Sequence, residues 1–291
     1  MVRSTLILIC CWLLLGQGAL ANRIEKIAER RLVVLTDNDE NSTYHIVGFA
    51  DAATNFRDVF SKQWKHHTDI RYATLSEMPD ILKETPGDRL AVVMLNLMLD
   101  KRPSMDHWEN YHVIGIYPGE QFADMSKVNS LMLPFTCYVF PENRPLITEF
   151  ILAVKFMNDK VACELKKTGC DIDDDIDLNQ SQKKQRTVAV LHWCIGMEKD
   201  QIAASGYFGG RVEFMDTNGF WAIYNGPKAA EYSFLVMASV KYGKITTTYF
   251  VANMSDASIM AKVIPGGWHY ISGSRRPEAK FLEKLGRVYR E

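Results

Sequence analysis

Short apolar strands alternate with helical segments over the first half of this chain, and that alternation constrains its fold more than any other feature. Residues 31–35, 90–95 and 113–117 have the continuous apolar character of buried strands. Residues 53–64 and 75–83 lie between the first two and carry apolar side chains at helical spacing. The alternation predicts an α/β (α+β) fold in which helices flank a mixed β-sheet.

The second half is richer in predicted strands. Residues 187–193 are apolar enough for a strand, and residues 232–251 have the pattern of a β-hairpin. A further hairpin is predicted from strands at 211–214 and 220–224. Asp216-Thr-Asn-Gly219 between them is typical of a tight turn.

Three more segments complete the chain. Residues 146–161 are predicted to form a helix, or a strand followed by a helix, because periodicity does not separate the two. Residues 171–186 begin with aspartates and end with basic residues, which favours an exposed linker. Residues 277–289 form an amphipathic helix whose charged side chains are its solvated face. The sequence shows no internal repeat.

The N-terminus has the three parts of a secretory signal peptide. Arg3 supplies a positive charge, residues 6–15 are apolar, and Ala19-Leu20-Ala21 is a small-x-small cleavage site. We expect residues 1–21 to be removed and the protein to be secreted or delivered to a lysosomal or other endomembrane lumen, with no membrane span. The net charge of −1, from 34 basic and 35 acidic residues, excludes a strongly basic nucleic-acid-binding protein.

Four cysteines remain after signal removal: Cys137, Cys163, Cys170 and Cys194. An even number in a secreted chain favours two disulfides, which have three possible connectivities. Cys163 and Cys170 close a short loop, so we favour that pair, with Cys137 and Cys194 as the other. No C-x-x-C spacing supports a metal site instead.

Three N-x-S/T sequons begin at Asn41, Asn179 and Asn253. In a secreted chain such sequons are candidate glycosylation sites on surface loops. Asn179 lies in the most polar stretch and is the strongest of the three.

The histidines do not form a recognisable catalytic or metal motif. His66 and His67 lie near Asp69, where a solvated helix end is the favoured interpretation and a metal site the alternative. His192 precedes Trp193 and is expected to be packed within a strand. The chain contains neither H-E-x-x-H nor G-x-S-x-G.

Two other motif interpretations are weak. The aspartate-rich segments 37–41 and 171–175 lack the glycine that an EF-hand loop needs for its turn. Gly206 and the Gly209-Gly210 pair suggest a phosphate-binding loop, but no P-loop lysine follows. We therefore predict no metal and no cofactor.

One segment resembles the central motif of the deoxyribonuclease II family. That family reads G-H-x-K-G, an apolar strand, G-F-W and then H-S-x-P. The positions that match are Gly206, Gly210, Gly219, Phe220, Trp221 and Pro227. Cys137 and a family-like strand at 149–155 precede the motif, so the resemblance covers residues 137–264. It corresponds to the first half of the two-half family fold.

This resemblance implies a phospholipase-D-like fold for residues 137–264 and a metal-independent acid endonuclease as the family activity. It also divides the mature chain into an α/β region of unknown type at 22–136 and a half domain with a C-terminal helix at 137–291. The family cysteine expected after Leu235 is Val236 here, which supports the pairing of Cys137 with Cys194.

The catalytic residues of that family are replaced. The histidine and lysine of H-x-K correspond to Tyr207 and Gly209, and the later histidine and serine to Tyr224 and Asn225. A phenol is a poor nucleophile at acid pH, and glycine supplies no charge to a phosphate. No H-x-K triplet occurs anywhere in the chain.

We therefore expect a secreted deoxyribonuclease-II-like protein that has lost catalysis and has a binding or effector role, with DNA or a protein as partner. A local patch of Lys183, Lys184, Arg186 and Arg211 is the predicted DNA contact. The first alternative is an active acid nuclease that uses His192. The second is an unrelated secreted interaction protein. The sequence indicates no oligomeric state.

Overall fold

The computed structural model describes residues 27–36, 50–101, 108–124, 136–139, 147–166, 186–192, 198–241, 245–263 and 279–290. These ranges contain ten strands and six α-helices, numbered here in chain order. The strands are β1 (Arg31–Leu35), β2 (Ile70–Ala73), β3 (Leu90–Lys101), β4 (Trp108–Pro118), β5 (Thr136–Val139), β6 (Thr187–Leu191), β7 (Val212–Met215), β8 (Tyr232–Lys241), β9 (Ile245–Asn253) and β10 (Ile259–Val263). The helices are α1 (Ala50–Gln63), α2 (Met78–Glu84), α3 (Ile147–Leu165), α4 (Glu198–Tyr207), α5 (Thr217–Asn225) and α6 (Ala279–Arg290).

The strands form one ten-stranded mixed sheet that consists of two units with the same topology. In the first unit the strand order is β2-β1-β3-β4-β5, with β1 parallel to β2 and β3 and the remaining pairs antiparallel. In the second unit the order is β7-β6-β8-β9-β10, with the corresponding parallel and antiparallel pairs. Each unit runs β-α-β-α-β-β-β-α along the chain.

The two units meet where β5 pairs with β8, at Val139 and Ser239. The second unit begins at β6, after α3, and the domain boundary after residue 136 stays a prediction. The sequence analysis found no internal repeat. The two units therefore repeat in topology without a recognisable repeat in sequence.

A continuous apolar core spans both units. Helix α3 packs on α1, with the rings of Phe56 and Phe150 5.5 Å apart, and also lies against β8 of the second unit. Helix α6 packs on α4, where the rings of Phe208 and Tyr289 are 5.9 Å apart. These side chains belong to one buried cluster that both units share. A smaller cluster lies under α2 on the opposite side of the first unit.

The predicted fold class is confirmed at the coarse level, since a mixed sheet is flanked by helices. Strand β1, helices α1 and α6, and the hairpin β8–β9 lie where the sequence pattern placed them. Helix α4 and the strands β2, β5 and β10 were not predicted from the sequence. Residues 149–155, predicted to be strand-like by family resemblance, lie within helix α3.

The predicted hairpin at 211–224 is wrong, because residues 217–225 form helix α5. Asp216 is the N-cap of that helix, and its Oδ1 accepts a hydrogen bond from the amide of Gly219 at 2.7 Å. The helix ends at Asn225, and Gly226 and Pro227 follow. An aspartate three residues before a glycine suits a helix start as well as a turn, and burial of Phe220 and Tyr224 decides in favour of the helix.

Candidate functional site

The motif residues do not form one surface. Gly206 and Tyr207 lie in the last turn of α4, whereas Gly219, Phe220 and Trp221 lie in α5. The backbone of Tyr207 contacts α6, where an added Cβ on Gly286 would lie 2.4 Å from the Tyr207 carbonyl oxygen. Tyr224 instead contacts α1 of the first unit. The two positions that would carry catalysis by family resemblance therefore face different partners.

Gly209 and Gly210 terminate helix α4. Their φ angles are 72° and 77°, and the amide of Gly210 donates to the carbonyl of Ser205 at 2.8 Å. Glycines in this conformation typically end helices. The amides of Phe208, Gly209 and Gly210 all donate to carbonyl oxygens of α4, whereas a phosphate-binding loop directs free amides at its ligand. The phosphate-binding interpretation is therefore wrong.

Tyr224 is fully buried at the contact between the two units. Its hydroxyl accepts a hydrogen bond from Nε2 of Gln63 at 3.0 Å, and its ring stacks on that of Trp221. Burial raises the pKa of the Tyr224 hydroxyl, so the phenol stays protonated at physiological and acid pH. Asn225, the neighbouring family position, is exposed at the end of α5.

Lys62 reaches the same contact from α1. Its ammonium group lies 3.8 Å from the centre of the Tyr224 ring and donates to the Tyr224 carbonyl oxygen. Desolvation lowers the pKa of Lys62. Oε1 of Gln63 is buried without a hydrogen-bond partner. The contact joins α1 to α5, and no local pattern in the sequence could have indicated it.

His192, the fallback catalytic residue, is exposed in the turn after β6 rather than packed in a strand. Its amide donates to the carbonyl of Met215 at 3.1 Å. The paired register of β6 and β7 ends one residue earlier, at Leu191 and Met215. Within the described ranges, no hydrogen bond or ion pair involves the imidazole of His192.

His66 and His67 are held by protein groups rather than by solvent. Nε2 of His66 lies 3.0 Å from the carbonyl oxygen of Asn158. The His67 ring bridges Trp64 and the carbonyl of Ile27. Among the residues that the structure describes, no group of three or more histidine, cysteine or acidic side chains could hold a metal ion.

Two predicted surface residues are buried. Arg186 is 9% exposed, and its Nη1 donates to Oδ1 of Asn253 at 2.7 Å. Asn253 is 5% exposed and its Oδ1 also accepts from the amide of Ser255. Arg186 is therefore not part of an exposed DNA-binding patch. Asn253 lies at the end of β9 rather than on a surface loop, and its burial argues against glycosylation in the folded protein.

Several predictions fall on residues that the structure does not describe. They are the signal peptide, the sequons at Asn41 and Asn179, both calcium-loop segments, Lys183, Lys184, Cys170 and Cys194. Cys163 lies in α3 and is disulfide-bonded, while Cys137 lies in β5. The two proposed pairings stay predictions. No helix in the described ranges is long and apolar enough to cross a membrane.

Comparison with known proteins adds no family to these observations. No protein-family model, curated protein or solved structure matches the chain. Its function is therefore inferred from its own residues.

An open groove of about 570 Å³ lies beside α2 in the first unit. Leu82 and Phe122 supply apolar lining, and Lys83, Asp88 and Glu120 supply charges of both signs. Lys83 pairs with Asp80, and Glu120 pairs with Arg30. Because those charges are of mixed sign, the lining does not define one class of ligand.

The outer face of α6 carries a stripe of positive charge. Lys280, Lys284 and Arg287 are exposed and lie on one helix face by their spacing of four and three residues. Leu282, Leu285 and Tyr289, on the opposite face, are buried against α4, β9 and β10. Glu283 and Arg290 flank this basic stripe, and Arg290 Nε donates to the Gly286 carbonyl.

Proposed function

We propose that the protein is a secreted binding protein without catalytic activity, and that the basic stripe on α6 contacts the phosphate backbone of DNA. The observation that carries the proposal is the position of Tyr224, which occupies a family catalytic position but is buried between the two units. A protonated, hydrogen-bonded phenol in the core can neither attack a phosphate nor accept a proton at neutral or acid pH.

The end of helix α4 supports the same conclusion. Gly209 stands where the family has its phosphate-binding lysine, and its amide donates to the Gly206 carbonyl oxygen at 3.2 Å. Stabilisation of the developing charge is the main requirement of phosphoryl transfer. A neutral glycine whose amide is bonded within the chain does not meet that requirement.

The basic stripe supports binding by phosphate contacts. Its three cations project from one rigid helix, and its apolar face is occupied by the core. Such a surface cannot insert apolar side chains into a membrane, so its interaction is electrostatic. The whole chain is close to neutral, and we expect weak, sequence-independent binding with a dissociation constant of about 10⁻⁶ to 10⁻⁴ M.

Fluorescence anisotropy with a labelled DNA duplex tests this proposal. Between about 50 and 200 mM salt, a logarithmic plot of affinity against salt should have a slope of about −3, because three phosphates are neutralised. The triple variant Lys280→Gln, Lys284→Gln and Arg287→Gln should lose measurable binding.

A variant with the same change in net charge provides the control. Lys65, Lys166 and Lys228 are exposed elsewhere on the molecule, and their replacement by glutamine should leave the affinity within about twofold. Equal losses in both variants, or no binding by the wild type, would contradict the proposed DNA contact.

A second candidate function is an active acid endonuclease related to deoxyribonuclease II, with a phospholipase-D-like fold. Two units of equal topology favour it, because that family has a two-half fold. Exposed His192, at the end of β6, would then be the catalytic group.

Plasmid cleavage in EDTA from about pH 4 to pH 8, the range in which histidines titrate, separates the two candidates. The binding proposal expects intact plasmid at every pH. Cleavage in acid that disappears in His192→Ala would establish the second candidate instead.

A further inference from the structure

His67 connects the end of α1 to the turn that precedes β1. Its Nδ1 lies 3.0 Å from Nε1 of Trp64, and its Nε2 lies 2.9 Å from the carbonyl oxygen of Ile27. Ile27 is fully buried in the short helical turn Ile27–Glu29. We call these two hydrogen bonds the His67 bridge. Forty residues separate its ends along the chain.

The partners determine the protonation state of the ring. An indole N–H can only donate, so Nδ1 of His67 must accept the bond from Trp64. A carbonyl oxygen can only accept, so Nε2 of His67 must carry the proton that bonds to Ile27. Both bonds therefore form only in the neutral imidazole with its proton on Nε2.

The surroundings of the ring disfavour a positive charge. Trp64 is 6% exposed, and its ring stacks on those of Phe60 and His67. Burial lowers the pKa of His67 and outweighs the hydrogen bonds to the backbones of Ile27 and Arg30, which raise it; neighbouring His66 adds a smaller lowering effect. Arg30 faces His67 with its backbone, while its guanidinium pairs with Glu120.

We propose that the His67 bridge is a pH-sensitive switch that holds the turn at residues 27–29 against α1 at neutral pH and releases it in acid. Protonation places a second N–H on the ring, so that two donors face each other between His67 and Trp64. The Trp64 bond is lost, and the cation must leave its apolar surroundings. Nε2 keeps its proton and its bond to Ile27, but the ring is no longer bonded to Trp64, so the turn at residues 27–29 loses this connection to α1. This inference does not depend on DNA binding.

The direction of the pH effect follows from proton uptake. The unfolded chain binds a proton at His67 with a pKa of about 6.5, and the folded chain binds it at lower pH. The unfolded state therefore binds more protons as the pH falls below about 6.5. The stabilisation by the bridge is complete above that pH and is lost progressively below it.

Urea unfolding from pH 7.5 to pH 5 tests the switch in the full chain. Between the unfolded and folded pKa values, the unfolding equilibrium constant of the wild type should rise by up to about tenfold per pH unit relative to His67→Gln, because one extra proton is taken up. Glutamine can donate to Ile27 and accept from Trp64 but does not titrate in this range. Parallel pH profiles for wild type and His67→Gln would overturn the proposal.

Hydrogen exchange shows which part of the chain opens in acid. This measurement is made on the wild type, so it does not depend on the stability of the His67→Gln variant. In wild type, protection of the amides at residues 27–35 should fall between pH 7 and pH 5 after correction for intrinsic exchange, while protection of β8 and β9 is retained. His66→Gln should keep the acid-dependent loss of protection, because neither hydrogen bond of the His67 bridge involves His66. Unchanged protection of residues 27–35 in acid would overturn the proposal even if overall stability decreased.

Discussion

Single side chains determine how the two units meet. The Tyr224 hydroxyl bonds to a glutamine 161 positions earlier in the chain, and the ammonium of Lys62 covers its ring. Gln63 already has one unpaired buried oxygen. Tyr224 therefore accepts the hydrogen bond from the side-chain NH2 group of Gln63, and its aromatic ring fills the space between α1 and α5.

Replacement of Tyr224 by phenylalanine should destabilise the protein by about 1–2 kcal/mol, because the Gln63 amide loses its buried partner while the packing is retained. Urea unfolding at pH 7 measures this. Tyr207→Phe is the control, since Tyr207 is half-buried and no described residue bonds to its hydroxyl; its effect should stay within about 0.5 kcal/mol. Equal effects would show that the Gln63 bond contributes nothing.

At the scale of elements, close approach of two helices depends on one glycine. Helices α4 and α6 touch where Gly286 faces the Tyr207 backbone, and a Cβ there would lie 2.4 Å from the carbonyl oxygen. Gly206, one residue earlier on α4, would have no atom within 4 Å of an added Cβ. Glycine is thus required at position 286 of α6 but not at position 206 of α4.

Gly286→Ala should lower the free energy of unfolding by at least about 1 kcal/mol, because overpacking outweighs the gain in helix propensity. Gly206→Ala should raise it by about 0.5–1 kcal/mol, since alanine gains propensity without a clash. Thermal unfolding of both variants gives the comparison. Stabilisation by both would mean that α6 shifts away from α4 at little cost.

Across the whole molecule, shared core packing makes the two units interdependent. The same buried cluster contains side chains from β1 and α1 as well as from β6 and β8. The sheet is continuous through β5 and β8, and α3 of the first unit covers β8 of the second. Equal topology therefore does not imply independent folding.

We expect one cooperative unfolding transition. Two variants test this, one with Trp64 of the first unit as its single tryptophan and one with Trp221 of the second. In each variant, the urea midpoint from tryptophan fluorescence should equal the midpoint from circular dichroism of the same sample. A fluorescence midpoint that differs from the circular dichroism midpoint in either variant would show that the units unfold separately.

The sequence alone determined the elements that local periodicity specifies. Strand β1, helix α1, helix α6 and the hairpin β8–β9 follow from the spacing of apolar residues. The charged side chains of α6 were predicted only as its solvated face. Only the tertiary structure decided that Asp216 begins a helix, because a helix cap and a tight turn use the same residue types. It also decided the partners of Tyr224 and His67 and the order of the strands. Those contacts join residues far apart in the chain, and no local spacing encodes which distant backbone or side chain satisfies a buried polar group.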